Sequence, residues 1–150
     1  MLIDTFNRRI RPNLAYLAWL QSLIAMFGSL FFSEIMKLPP CSLCWYQRIL
    51  MYPLVFILAT GILLEDKRVK YYVLPLSITG LLIAVYHNLL YYNIIPEAIV
   101  PCSTGVSCTS RQLIWLGFIT IPLMSLVAFS IITAAMLLYK KKETPHEART

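Results

Sequence analysis

Four cysteines carry the first chemical signal in this chain, and they fall into two close pairs: Cys41 and Cys44, then Cys102 and Cys108. Free cysteine is among the most buried residue types, so scattered placement within apolar runs would suggest simple packing. Here all four lie in two short segments between apolar runs, roughly 37–44 and 93–111. Random placement would put all four there about one time in a thousand, so packing does not explain them. Three chemistries remain: two structural disulfides, a zinc site, or a thiol–disulfide relay. Zinc is disfavoured by the second spacing, which has five intervening residues where two to four are usual.

The first pair is the more informative. Cys41-Ser42-Leu43-Cys44 is a C-x-x-C unit that follows Pro39-Pro40 and opens an apolar run. Thiol–disulfide exchange needs a thiolate, and a helix N-terminus lowers a cysteine pKa through its unpaired N–H groups. Arg48 lies four residues beyond Cys44 and shares its helix face. A guanidinium about 6 Å below the start of a membrane helix must either snorkel to lipid phosphate or serve a purpose.

A relay also needs a sink for two electrons. The sequence has no haem-ligand pair, iron–sulfur cysteine set or dinucleotide glycine motif. A bilayer-soluble quinone requires none of these, only hydrogen-bond donors near the membrane surface. Arg48 and Gln47 offer them on the second apolar run, and His87 lies at a similar depth on the third. The bland reading of His87 is an interhelical contact.

Composition sets the elements that must hold these residues. The chain has 150 residues, 59% hydrophobic and 13% charged. Soluble domains average about 45–50% apolar and 25% charged, which excludes a water-exposed enzyme core and a disordered chain. A spanning helix needs about 20 apolar residues. Four runs qualify: about Leu14 to Met36, Trp45 to Leu64, Tyr71 to Tyr92 and Leu113 to Tyr139. Pro53 and Pro122 fall inside the second and fourth and are expected to kink them. The first run is too long for a signal peptide and is read as an uncleaved helix.

Of 13 Lys and Arg residues, all but Lys37, Arg48 and Arg111 lie in the N-terminus, the 65–70 connection and the C-terminal tail. The positive-inside rule then places both termini and the middle connection in the cytoplasm, with all four cysteines outside. It also accounts for the +6 charge without nucleic acid. Tyr71, Tyr72 and Tyr139 fit an inner aromatic belt; Trp45, Tyr91, Tyr92 and Trp115 fit an outer one. The expected architecture is an all-α, multi-pass cell-membrane protein. Residues 1–142 would form a single four-helix domain with two short extracytoplasmic loops, and 143–150 a disordered cytoplasmic tail. Pro96, Pro101 and Gly105 break regular structure in the second loop.

The segment Pro40-Cys41-Ser42-Leu43-Cys44-Trp45-Tyr46-Gln47-Arg48 resembles the P-C-x-L-C-x-(Y/W)-(Q/E)-R signature of DsbB-type disulfide bond formation proteins. Cys108-Thr109-Ser110-Arg111-Gln112, with Leu116-Gly117 and Pro122, resembles the segment leading into that family's fourth helix. The likeness is greatest to the Gram-positive BdbC branch. The second pair departs from the enteric archetype, which separates its cysteines by a helical segment. The resemblance implies a membrane oxidase that takes electrons from an extracytoplasmic thioredoxin-fold thiol oxidase of DsbA/BdbD type and passes them to quinone, menaquinone or ubiquinone. It implies that Cys41–Cys44 is the quinone-proximal pair, Cys102–Cys108 the partner-facing pair, and Arg48 the main quinone contact, with His87 a looser match. The rival readings are a disulfide-stapled membrane scaffold and a metal-binding membrane protein.

Overall fold

The structure, a computed structural model, describes residues 13–95 and 120–139. Cys102 and Cys108, the second loop, the N-terminal arginines and the 143–150 tail lie outside the described residues. Four helices make up the described chain: α1 (Leu14–Leu30), α2 (Ser42–Leu63), α3 (Val69–Tyr91) and α4 (Ile121–Leu138). A π-helical turn, Phe31–Ile35, extends α1. Each of the four is long and apolar enough to cross a membrane. They close into a ring in which α1 packs on α2 and α4, and α3 packs on α2 and α4.

The residue distribution is that of a chain folded in lipid. Phe27, Phe56, Leu82 and Leu137 face outward, while Ser22, Gln47, Ser77, His87, Asn88 and Thr133 are buried. Apolar surface is at no disadvantage against acyl chains, whereas polar groups must turn inward to find partners. Ser22 Oγ donates to the Trp19 carbonyl at 2.7 Å and Ser77 Oγ to that of Leu74 at 3.1 Å.

Small residues set how closely the helices approach. Ala15, Ala18 and Ser22 form the buried stripe of α1. On α3 the buried positions Val73, Ser77, Gly80, Ala84 and His87 repeat at alternating steps of four and three. That repeat is the seam of a left-handed bundle, with small side chains at the centre. A Cβ on Gly80 would collide with the Phe129 ring of α4, so the aromatic ring fills the space that glycine leaves.

Pro53 and Pro75 lie inside α2 and α3, both unbroken. The connections are tight. α2 ends with Asp66 N–H donating to the Gly61 carbonyl at 2.9 Å and Glu65 at φ 50°; α3 ends with Ile94 N–H to the Leu89 carbonyl at 3.0 Å and Asn93 at φ 56°. Both are left-handed C-terminal caps that satisfy terminal carbonyls and turn the chain back.

One boundary differs from the sequence expectation. No unbroken helix runs from Leu113 to Tyr139. Thr120 is extended, with φ −109° and ψ 154°, and its side chain accepts from Leu123 N–H, so the helix begins at Ile121. Pro122 therefore sits in the first turn, where its missing N–H costs no hydrogen bond, and it starts the helix instead of kinking it. Asn88 holds that start in place: its Nδ2 donates to the Pro122 carbonyl at 2.8 Å and to Ala84 of its own helix at 2.8 Å.

Candidate functional site

Pro39 and Pro40 cannot continue a helix, and they deliver Cys41 in extended backbone, φ −71° and ψ 168°, as the N-cap of α2. Its sulfur accepts from the Cys44 N–H at 3.4 Å, a role usually filled by Ser, Thr or Asp. One turn of helix brings Cys44 Sγ to 2.9 Å from Cys41 Sγ. Cys41 is buried and Cys44 partly exposed. The C-x-x-C unit thus opens a helix, as its flanking prolines predict.

Helix α3 supplies the next group. His87 is 2% exposed, and its Nε2 stands 3.8 Å from Cys41 Sγ. Its Nδ1 is 3.4 Å from the amide of Gln47, itself buried on the α2 seam. Three sequence-distant groups therefore form one chain of contacts: Gln47, His87, Cys41. The Cys41 thiol is held far below its ordinary range. The hydrogen bond from Cys44 is the first cause, and those from His87 and the Cys44 N–H add to it, outweighing the opposing effect of burial.

Arg48 points toward α1. Its Nη2 donates to the Ser29 carbonyl at 3.0 Å, and its guanidinium lies 5.7 Å from the centre of the Trp45 ring. Ser33 Oγ reaches the same carbonyl at 3.3 Å, next to the π-helical turn. Local i→i+5 turns of this kind recur beside functional groups. Within the described residues Arg48 is tied into the bundle and does not extend away from it to an outer surface.

These groups share one cavity of about 190 Å³. Cys41, Cys44, Gln47, Arg48 and His87 form part of its wall, and Ile24, Phe32, Met51 and Ala128 are among its apolar lining. Five of the seven sequence-predicted site residues thus meet at one place; Cys102 and Cys108 lie outside the described residues. The sequence reading missed Gln21, Gly28 and Ser29 of α1, which complete the wall. Gln21, the polar break in an apolar run, was the available signal. Gly28 has open space where a Cβ would stand. Tyr91, expected in the outer aromatic belt, is instead buried in the cavity wall, because the α3 seam carries it inward four residues after His87. Tyr139, assigned to the inner belt, is likewise buried.

The arrangement suits thiol–disulfide chemistry. A thiol stabilised as thiolate stands beside a second thiol, a cation and an imidazole, in a largely apolar chamber. Comparison with known proteins points the same way. The family described as "Disulfide bond formation protein DsbB" matches residues 11–139. Among curated proteins, the chain is 50% identical to disulfide bond formation protein C of Bacillus subtilis over 86% of its own length and 94% of that protein's. It is 46% identical to a probable disulfide formation protein C 2 of Bacillus cereus over 90% and 96%. A probable disulfide formation protein of Metapseudomonas resinovorans is 40% identical over 89% and 93%. No solved structure matches. With the family matched across nearly all of its length and a C-x-x-C pair held at the mouth of α2, this chain belongs to the DsbB family of disulfide bond formation proteins.

Proposed function

We propose that the chain is a membrane thiol:quinone oxidoreductase that reoxidises an extracytoplasmic thioredoxin-fold thiol oxidase. The observation that carries this reading is the single cavity uniting Cys41 and Cys44 with Arg48, Gln47 and His87. Lys and Arg asymmetry supports an orientation with both termini in the cytoplasm and the cysteines outside.

The relay starts at the second loop. A partner thiolate attacks Cys102, forming a mixed disulfide and releasing Cys108 as thiolate. The partner's second thiol then resolves the mixed disulfide, leaving the partner oxidised and the loop pair reduced. Cys108 next attacks the Cys41–Cys44 disulfide, Cys102 closes the loop disulfide again, and both electrons rest on the Cys41–Cys44 dithiol. Quinone, when bound, supplies the sink, accepting two electrons and two protons. The residues around the cavity fit such a headgroup. The apolar chamber would receive the ring, and Arg48 and Gln47 would offer hydrogen-bond donors at the end where the sulfurs stand. His87, between Gln47 and Cys41, is placed to hold a proton beside the sulfur.

The test is direct. Purified protein in detergent should reduce a soluble menaquinone or ubiquinone analogue when supplied with a reduced thioredoxin-fold partner. Loss of that activity in Cys41→Ser and Cys44→Ser supports the relay. A wild-type protein that oxidises no partner with any quinone would return the chain to a disulfide-stapled scaffold.

A further inference from the structure

The reduced site has a feature that electron transfer does not require. Cys41 Sγ, Cys44 Sγ and a ring nitrogen of His87 all lie within 4.8 Å of one another. The Cys41 and Cys44 sulfurs are 2.9 Å apart, and His87 Nε2 is 3.8 Å from Cys41 Sγ. A tetrahedral zinc ion, with bonds of about 2.3 Å to sulfur and about 2.0–2.1 Å to nitrogen, sets its sulfurs about 3.8 Å apart and sulfur to nitrogen about 3.6 Å. The nitrogen already stands at the required separation from Cys41 Sγ and within 4.8 Å of Cys44 Sγ, and the two sulfurs need to part by about 1 Å. Cys44, the partly exposed member of the pair, is the side chain whose rotation would supply that movement.

The support behind the histidine is also present. A metal-binding imidazole works best when its other nitrogen is held by a hydrogen bond, which fixes the tautomer and the ring plane. The Gln47 amide stands 3.4 Å from Nδ1, leaving Nε2 toward Cys41. With the amide oxygen turned to Nδ1–H, Nε2 presents its lone pair to the sulfurs. The three groups also line the cavity, so a fourth position opens onto it and gives an ion a way in.

We propose that the reduced Cys41–Cys44 pair and His87 form a three-ligand site for a thiophilic d¹⁰ divalent cation, with zinc as the type ion and the fourth position left to solvent or a small anion. Binding joins one Zn²⁺, which keeps its charge state, to two thiolates, and every proton still held by the two sulfurs leaves to solvent. No electrons move. Both thiolates are then committed to the metal, so the ion competes with disulfide formation and holds the pair reduced. The oxidised pair offers no thiolate and takes none. Zinc is therefore a state-selective inhibitor of the reduced protein, and the site exists whichever electron acceptor the protein uses.

The experiment uses the full chain in detergent with Cys102 and Cys108 replaced by Ser, so the loop adds no ligand. Reduced with a phosphine and freed of reductant, it should bind one zinc per chain, reversed by a strong chelator. The same protein with Cys41–Cys44 oxidised should bind none. Zinc X-ray absorption of the reduced, loaded protein should show two sulfur scatterers and one imidazole. His87→Ala should weaken zinc binding at least tenfold, and Gln47→Leu about ten- to a hundredfold through the lost second contact. The proposal is overturned if the oxidised protein binds equally, or if the absorption spectrum contains no imidazole. It is also overturned if a His87→Ala protein with unchanged helical circular dichroism binds as tightly as its parent. The absorption measurement needs no variant at His87 and decides the matter even if that substitution fails to fold.

Discussion

At Arg48 the membrane makes a cation costly, and the structure shows what partners it. Its guanidinium is anchored at one edge by the Ser29 carbonyl and shielded on another by Trp45, leaving donors at the cavity wall. Arg48→Ala is expected to raise the apparent KM for quinone about tenfold or more, since a hydrogen bond to a charged group is worth roughly 1.5–3 kcal/mol. Steady-state kinetics over a range of quinone concentrations gives the value. Disulfide exchange with the partner, followed in a single turnover, should be largely retained. Arg48→Lys should recover only part of the loss, because an ammonium lacks the planar fork. Cys41 makes a second residue-scale case. Its depressed pKa keeps it a thiolate well below the ordinary cysteine value of about 8.5. Alkylation of the reduced protein, in the presence of chelator and with the loop cysteines replaced by Ser, should therefore stay fast as pH falls through neutrality. Cys44→Ala should move the midpoint of the Cys41 profile upward, and His87→Ala should do so less. A midpoint unmoved by both changes would mean that neither neighbour stabilises the thiolate.

Among the elements, α1 shapes the cavity as much as the helix bearing the cysteines. It contributes Gln21, Gly28 and Ser29, and the π-helical turn follows directly. Gly28 is the opening: a Cβ there meets nothing within 4 Å. Gly28→Leu should fold normally, because no neighbour is displaced and leucine is the better helix former by several tenths of a kcal/mol. The added side chain should occupy part of the chamber, raising the quinone KM severalfold while Cys41 and Cys44 still exchange with the loop pair. Thermal unfolding and quinone kinetics on one preparation separate the two effects. An unchanged KM in a well-folded protein would place the acceptor away from α1. On the far side of the chamber, Asn88 fixes where α4 begins and hence where Ile121 and Pro122 meet the cavity.

For the molecule as a whole, sidedness and the loop decide the electron path. With the observed Lys and Arg asymmetry, all four cysteines are expected outside. Reduced, intact cells should be labelled by a membrane-impermeant maleimide. Labelling that needs an opened membrane would reverse the topology, and with it the assignment of an extracytoplasmic partner. Within the loop, Cys102 follows Pro101 and lies further from the fourth helix than Cys108. Exchange proceeds through a mixed disulfide whose direction depends on access and on which sulfur leaves. A partner whose second thiol is replaced by Ser can attack the loop disulfide but cannot resolve the product, so it should accumulate an adduct on Cys102, visible on a non-reducing gel, lost with reductant and assigned by peptide mass mapping. An adduct mapped to Cys108 instead would exchange the two roles.

The four helices, their apolar lengths and the C-x-x-C at a helix start were legible from residue order alone. Each depends on local composition: long apolar runs with at most one charge inside, a proline pair ahead of Cys41, and charge clusters in the connection after the second run and in the C-terminal tail. Proximity across the bundle was not legible in the same way. Sequence depth suggested that His87 stands level with Arg48, yet its Nε2 faces Cys41 and its Nδ1 faces Gln47. The clue lay in the four-and-three spacing of Ser77, Gly80 and Ala84, which turns His87 toward the bundle axis. The beginning of α4 depended on Thr120 and on Asn88, 32 residues earlier in the chain, because a cap and a cross-helix hydrogen bond override a run of hydropathy. Tyr91 looked like a membrane-surface residue, and the packing of α3 placed it in the cavity wall. In a bilayer, hydropathy decides which segments span. It does not decide which face of a segment meets its neighbours, because lipid and protein interior are both apolar. Small residues and buried hydrogen bonds settle that choice, and they act only between helices already brought together.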